Sequence, residues 1–111
     1  SFSSRYAYDD CYIISGAAEG FTLELFIREV GVSKNNHGTV PTVGTYPVLN
    51  WMYSTSESYC EGANGGSKVN GIYLKSEGEI VIEEAAEGYT VTFNVVDSNG
   101  TAWKGSYTGA L

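Results

Sequence analysis

Nucleophilic catalysis of the serine or cysteine type needs a histidine beside the nucleophile, and the chain contains a single histidine, His37. His37 lies in the polar run 35–38, which has the composition of a turn. No strand-end nucleophile precedes it, and no Gly-x-Ser-x-Gly elbow occurs in the chain. A solvated loop histidine is the simpler interpretation, so the sequence assigns no catalytic residue.

Pairs of carboxylates are the next chemistry to consider, because the chain has 13 acidic residues. Glycoside hydrolysis requires two carboxyl groups about 5–10 Å apart in a cleft. Glu79 and Glu83 share one face of a predicted strand, but about 13 Å of extended chain separates them. These glutamates are predicted to keep an exposed face soluble and to discourage edge pairing.

The candidate motifs for metal and cofactor binding do not match the required patterns either. The run 97–100 has the composition of the start of a calcium loop, but no glutamate stands at the twelfth position and no helical pattern flanks it. The glycine-rich run 62–68 has the wrong order for a phosphate-binding loop. The sequence therefore predicts neither a metal site nor a cofactor.

The two cysteines, Cys11 and Cys60, leave two alternatives open. A disulfide between them would close a loop of about 50 residues and stabilise the fold by roughly 4 kcal/mol on the chain-entropy model. An extracellular location would favour that pairing. The other alternative is a pair of unrelated buried thiols, because no CxxC spacing supports a zinc site.

Aromatic recognition is the chemistry that remains. Trp51, Tyr53 and Tyr59 lie with Asn64 in the stretch 50–68, which is rich in Gly, Ser and Asn and follows no regular period. Rigid aromatic surfaces mixed with adaptable polar groups are typical of recognition loops. These four residues are the predicted ligand-binding set, for a sugar ring or a protein partner. The alternative is that Trp51 and Tyr53, two residues apart, pack into the core from one strand face.

Strands are the elements that must position these residues. Hydrophobic and polar residues alternate strictly at 21–28 and again at 89–95, which predicts two half-buried strands. A further apolar strand at 80–84 and a Gly-containing turn at 97–100 complete a predicted three-stranded antiparallel meander at 77–111.

An internal repeat extends this pattern to the first half of the chain. The run AAEGFTL at 17–23 matches AAEGYTV at 85–91, and GTY at 44–46 matches GSY at 105–107. Two related three-stranded units are one explanation, and the reuse of a favourable hairpin loop is the other. The sequence predicts a single all-β domain at 1–111, an antiparallel β-sandwich or a small barrel of about seven or eight strands.

Charge limits the choice of partner. Thirteen acids against six bases give a net charge of −7, which opposes binding to nucleic acid or to anionic lipid. No apolar run is long enough to span a membrane, and no signal segment occurs at the start of this chain.

Four motifs resemble those of small secreted or surface lipoproteins from gut Bacteroidales. They are GYTVTF at 88–93, DSNG at 97–100, GSYTG at 105–109 and GTYPV at 44–48. The resemblance implies a β-sandwich or barrel located outside the cytoplasm, in a group whose members mostly lack a known activity. It supplies no active-site residues, and no lipobox cysteine is present in this chain.

The leading hypothesis is therefore a non-enzymatic, extracytoplasmic binding or surface-interaction module with its contact surface at 50–68. A small carbohydrate-active hydrolase is the first alternative. A purely structural or assembly domain, joined to its partner through an exposed edge strand, is the second.

Overall fold

The computed structural model describes residues 1–50, 56–63 and 65–111. The described chain is all-β, with no helix and nine strands. The strands are β1 (Phe2–Tyr8), β2 (Cys11–Ala18), β3 (Phe21–Arg28), β4 (Gly44–Asn50), β5 (Tyr59–Gly62), β6 (Lys68–Val69), β7 (Ile72–Ala85), β8 (Gly88–Asp97) and β9 (Ala102–Gly109).

The strands follow the order β1-β2-β3-β5-β4-β7-β8-β9, and β6 joins β3 to β7. Five strands, β3, β5, β4, β7 and β6, thereby close into a barrel, and the other four lie outside it. The predicted all-β fold is confirmed, with the barrel as its centre. One pair departs from the predicted antiparallel arrangement, because β4 and β5 run parallel.

The predicted meander is also confirmed, since β7, β8 and β9 pair in sequence order. Its first strand is longer than expected, because β7 continues from Ile72 through a shift in register between Leu74 and Gly78. Gly78 has a φ of 88°, and a Cβ there would lie 1.9 Å from the carbonyl oxygen of Asn94. Only glycine fits this bulge, at which β7 passes from its pairing with β6 to its pairing with β4.

The repeated sequences form two hairpins, β2–β3 and β7–β8, each with a two-residue turn. Each hairpin belongs to a three-stranded meander, β1-β2-β3 or β7-β8-β9. The third strands of the repeat differ in position, because β9 pairs with β8 whereas β4 pairs with β5 and β7. The long connection 29–43 makes this difference by carrying the chain from β3 past the position of β5 to β4.

Core tyrosines hold that connection in place. The hydroxyl of Tyr12 accepts a hydrogen bond from the backbone N–H of Gly38 at 3.1 Å. The hydroxyl of Tyr46 donates to the carbonyl oxygen of Thr42 at 2.6 Å. Both rings are buried, so the loop is anchored to the core at two points.

The core consists of the inward-facing residues of the strands, which are every second residue because successive side chains point to opposite faces. Its members are Tyr12, Ile14, Leu23, Leu25, Ile27, Tyr46, Val48, Cys60, Val69, Leu74, Ile80, Ile82, Val91, Phe93 and Val95. The alternation predicted at 21–28 and 89–95 is thus confirmed, and the opposite side of β3 is left to face outward.

Candidate functional site

The outward side of β3 is the surface beside which two described residues of the predicted recognition region, Tyr59 and Lys68, are paired. We call it the β3 face, defined by Thr22, Glu24, Phe26 and Arg28 of β3 with their neighbours on β1, β2, β5, β6 and β7 and in the turn between β1 and β2. β5 pairs with the end of β3 that carries Arg28, and β6 pairs with the end that carries Glu24. The chain between β5 and β6 therefore passes beside the middle of this face.

At one end of the β3 face, Arg28 lies between two carboxylates. Its Nη1 donates to Oδ1 of Asp10 at 2.7 Å, and its Nε donates to Oε1 of Glu61 at 2.5 Å. The ring of Tyr8 lies 5.2 Å from the guanidinium carbon. Burial lowers the pKa of Arg28, but the hydrogen bonds to Asp10 and Glu61 outweigh it, so the pKa is raised above its usual range. This end of the face is a charged cluster whose cation stays protonated.

Cys11 belongs to the same cluster and Cys60 does not. Cys11 is paired with Arg28 on the outward side, whereas Cys60 is paired with Ile27 on the core side. Both are free, buried thiols, and β3 runs between the strands that carry them. Burial raises the pKa of Cys11 to about 11 and that of Cys60 to about 12. Of the two alternatives left open by the sequence, the structure contains the pair of buried thiols.

The predicted aromatic set is only partly located. Tyr59 lies on β5 opposite Arg28 and is 7% exposed, so its ring is part of the wall of the cluster rather than an open stacking surface. Trp51, Tyr53 and Asn64 lie outside the described residues. Their role in binding stays a prediction.

The middle of the face is fixed by the chain that follows β5. The buried hydroxyl of Ser67 accepts a hydrogen bond from the backbone N–H of Phe26 at 3.0 Å, in the gap between the β5 and β6 ladders. Gly66 has a φ of 115°, and a Cβ there would come within 3.1 Å of the Phe26 ring. The absence of a side chain at Gly66 lets the backbone lie against the Phe26 ring.

At the other end, four side chains form one row across four strands. Ser15 is paired with Glu24, Glu24 with Lys68, and Lys68 with Tyr73. We call this set the polar row. Ser15, Glu24 and Lys68 line a groove of about 340 Å³.

Within the polar row, the charged groups are not paired with each other. Glu24 and Lys68 lie opposite each other in the ladder but form no ion pair. The Nζ of Lys68 instead lies 4.8 Å from the centre of the Tyr73 ring, which is 42% exposed. A hydrogen-bond acceptor, a donor and an open aromatic ring therefore stand side by side.

Sequence reasoning missed the two exposed tyrosines of this face, Tyr8 and Tyr73. A signal for Tyr73 was present, because it alternates with Ile72 and Leu74 in a short β-type run. What the sequence could not supply was the register that brings Lys68 and Glu24 beside it, since those residues come from different parts of the chain.

The histidine and the potential metal ligands of the described chain do not add a second candidate site. His37 is exposed and stacks on Tyr6, with 3.8 Å between ring centres. Its Nδ1 is 2.7 Å from the carbonyl oxygen of Gly38, which can only accept, so this nitrogen carries the proton. No group of three or more metal-ligating side chains occurs among the described residues.

No helix of the described chain is long and apolar enough to cross a membrane. No family model matches the chain, and neither curated proteins nor solved structures give a match. The resemblance to Bacteroidales surface lipoproteins stays a prediction, and the function has to be argued from the geometry of the β3 face.

Proposed function

We propose that the protein is a non-enzymatic recognition module that works outside the cytoplasm and binds a neutral glycan on the β3 face. The polar row is the observation that supports this proposal. It offers a carboxylate, an ammonium group and an exposed tyrosine in consecutive positions across β3, β6 and β7.

Sugar chemistry matches that set of groups. Each sugar hydroxyl both donates and accepts, so two neighbouring hydroxyls can donate to Glu24 and accept from Lys68. The C–H side of the ring can pack on Tyr73, as apolar surfaces do on aromatic rings. Neighbouring strands stand about 4.8 Å apart, so the row is long enough for a short, extended oligosaccharide.

A neutral ligand fits better than a charged one. The carboxylate of Glu24 stands in the polar row itself and repels an anionic glycan there. The proposed extracytoplasmic location rests on the resemblance of the closing motifs, and immunoblots of cytoplasmic and extracytoplasmic fractions would test that part separately.

The hydrolase alternative is less well supported. Two carboxylates of the β3 face, Asp10 and Glu61, both accept hydrogen bonds from Arg28. They are therefore engaged in an ion network rather than facing an open cleft as an acid and a base.

The proposal is tested by calorimetric titration with a panel of neutral oligosaccharides. Binding of at least one of them is expected, and Tyr73→Ala should weaken it about tenfold, since an aromatic contact contributes roughly 1 kcal/mol or more. Tyr8→Ala is the matched control, because Tyr8 is equally exposed but lies at the Arg28 end of the face.

Two outcomes would contradict the proposal. One is equal loss of binding in both tyrosine variants, which would place the ligand elsewhere. The other is release of reducing sugar from any member of the panel, which would make the protein an enzyme. Trp51→Ala, measured beside them, tests the separate prediction for the 50–68 segment.

A further inference from the structure

The two edge strands of the sheet, β1 and β9, differ in how well they are protected. β1 has a shift in register between Tyr6 and Tyr8, and the 29–43 loop lies against it. Ser4 donates a hydrogen bond to the carbonyl oxygen of Thr39, and Tyr6 stacks on His37. A bulge and a covering loop are common ways to block strand addition.

In the described part of the chain, β9 has neither a bulge nor a covering loop. It runs over Ala102–Gly109 without a bulge and contains no proline. Among the described residues it is paired only with β8. A long, regular and unblocked edge is a ready acceptor for another strand.

The register identifies the backbone groups that face this open edge. The N–H of Asp97 donates to the carbonyl oxygen of Thr101 at 2.9 Å, which makes that pair a hydrogen-bonded one. Antiparallel pairs alternate, so the pairs of Trp103, Gly105 and Tyr107 with β8 are hydrogen-bonded as well. The N–H and C=O groups that point outward are those of Ala102, Lys104, Ser106 and Thr108.

Charge indicates what kind of strand this edge would accept. The stretch 98–111 contains no Asp or Glu, although the chain has 13 acidic residues, and its single base is Lys104. Lys104 forms no ion pair with any described residue. A recess of about 460 Å³ opens beside it, with Asn94 and Ser106 in its wall.

We infer that β9 is a docking edge for an extended acidic peptide segment of another protein. The segment adds as a strand to the outward groups of Lys104 and Ser106 and places a carboxylate side chain beside Lys104. A second copy of this chain is a poorer occupant, because its own β9 has no acidic side chain to place beside Lys104.

The test uses a blocked peptide, about as long as β9, that alternates threonine and glutamate, with the matching threonine–lysine peptide as control. Amide hydrogen exchange is followed by NMR on the whole chain. The acidic peptide should slow exchange about tenfold at Lys104 and Ser106, with little change at Trp103 and Gly105, which are already bonded to β8. The basic peptide should have no effect.

Two pairs of variants separate strand addition from loss of folding. Ser106→Pro removes an outward N–H without touching the β8 ladder and should abolish the effect, whereas Ser106→Ala should preserve it. Lys104→Glu should abolish it, and Lys104→Gln should weaken it.

The proposal is overturned if the acidic peptide gives no protection at Lys104 and Ser106 in the folded wild-type chain. Equal protection by the basic peptide would also overturn it. Protection that rises with protein concentration in the absence of peptide would identify a second copy as the occupant instead.

Discussion

The indole Nε1 of Trp103 donates a hydrogen bond to Oδ2 of Asp97 at 3.0 Å, so the last strand is tied to the turn that precedes it. The other carboxylate oxygen accepts from the backbone N–H groups of Asn99 and Thr101. Asp97 is 1% exposed, and these donors satisfy both of its oxygens. The turn, the strand and the core edge therefore depend on one ionised side chain.

This arrangement predicts a loss of stability in acid. The hydrogen bond from Trp103 lowers the pKa of Asp97, and the backbone donors at Thr101 and Asn99 add to the effect against the opposing effect of burial. The unfolded-state pKa is about 3.9, so the contribution of Asp97 is fully present above about pH 4. It is lost as the pH falls through the lower folded-state pKa.

Asp97→Asn should remove this pH dependence and lower the thermal midpoint at pH 7, as measured by circular dichroism. Trp103→Phe keeps an aromatic ring but removes the N–H donor. It should therefore reduce, in part, the loss of stability as the pH falls. If Asp97→Asn unfolds along the same pH curve as the wild type, another carboxylate governs the transition.

The glycine at the β7 bulge should be far less replaceable than one in an open turn. Gly78→Ala places a Cβ 1.9 Å from the Asn94 carbonyl oxygen, whereas Gly100, with a φ of 85°, has no atom within 4 Å of the added Cβ. Gly100→Ala should cost about 1–2 kcal/mol for the positive φ alone. Gly78→Ala should cost more than about 3 kcal/mol or prevent folding, as urea titration would reveal. Equal costs would mean that the bulge relaxes.

Removing the cation of the Arg28 cluster should be more harmful than removing its exposed anion. Arg28→Met leaves Glu61, which is 4% exposed, buried without its partner, at a cost of about 3 kcal/mol or more. The side chain of Asp10 is 43% exposed, so Asp10→Asn should cost about 1 kcal/mol or less. Arg28→Met combined with Glu61→Gln should recover part of the loss, and failure to do so in denaturant titrations would contradict a buried ion pair.

Both thiols should resist modification in the folded protein. The thiolate is the reactive form, and burial raises the pKa of Cys11 to about 11 and that of Cys60 to about 12. Iodoacetamide at pH 8 should leave the native chain unlabelled and add two labels in denaturant, as counted by mass spectrometry. A denatured, unreduced chain that takes up no label would indicate a disulfide instead.

Local patterns made the hairpins and the meander predictable. The alternation around Leu25 and Phe93 indicates which side of each strand is buried. The turn that begins at Asp97 is predicted by the types of its four residues. Closure of the barrel was not predictable, because it depends on β4 lying between β5 and β7. Nothing local marks Val48 as the parallel neighbour of Cys60.

The sequence indicated part of the surroundings of the β3 face, and the binding role of the stretch 50–68 stays a prediction. Of its described residues, Tyr59 and Lys68 pair with opposite ends of β3. Tyr73 and Glu24 were not predicted because the register of the strands brings them to the same face. A one-residue shift in register would place these side chains on the opposite face.

The shortest strand carries a consequence for how the molecule opens. β6 consists of Lys68 and Val69 and makes two residue pairs with β3 and two with β7. Asn70 supports it by accepting from the N–H of Thr22 and donating to the Thr22 carbonyl oxygen. β5 also makes only two residue pairs with β3, so both contacts of β3 within the barrel are narrow and can open locally with the loss of few backbone hydrogen bonds. Since Lys68 belongs to both β6 and the polar row, a ligand held there would bridge β3 and β7 and oppose this opening.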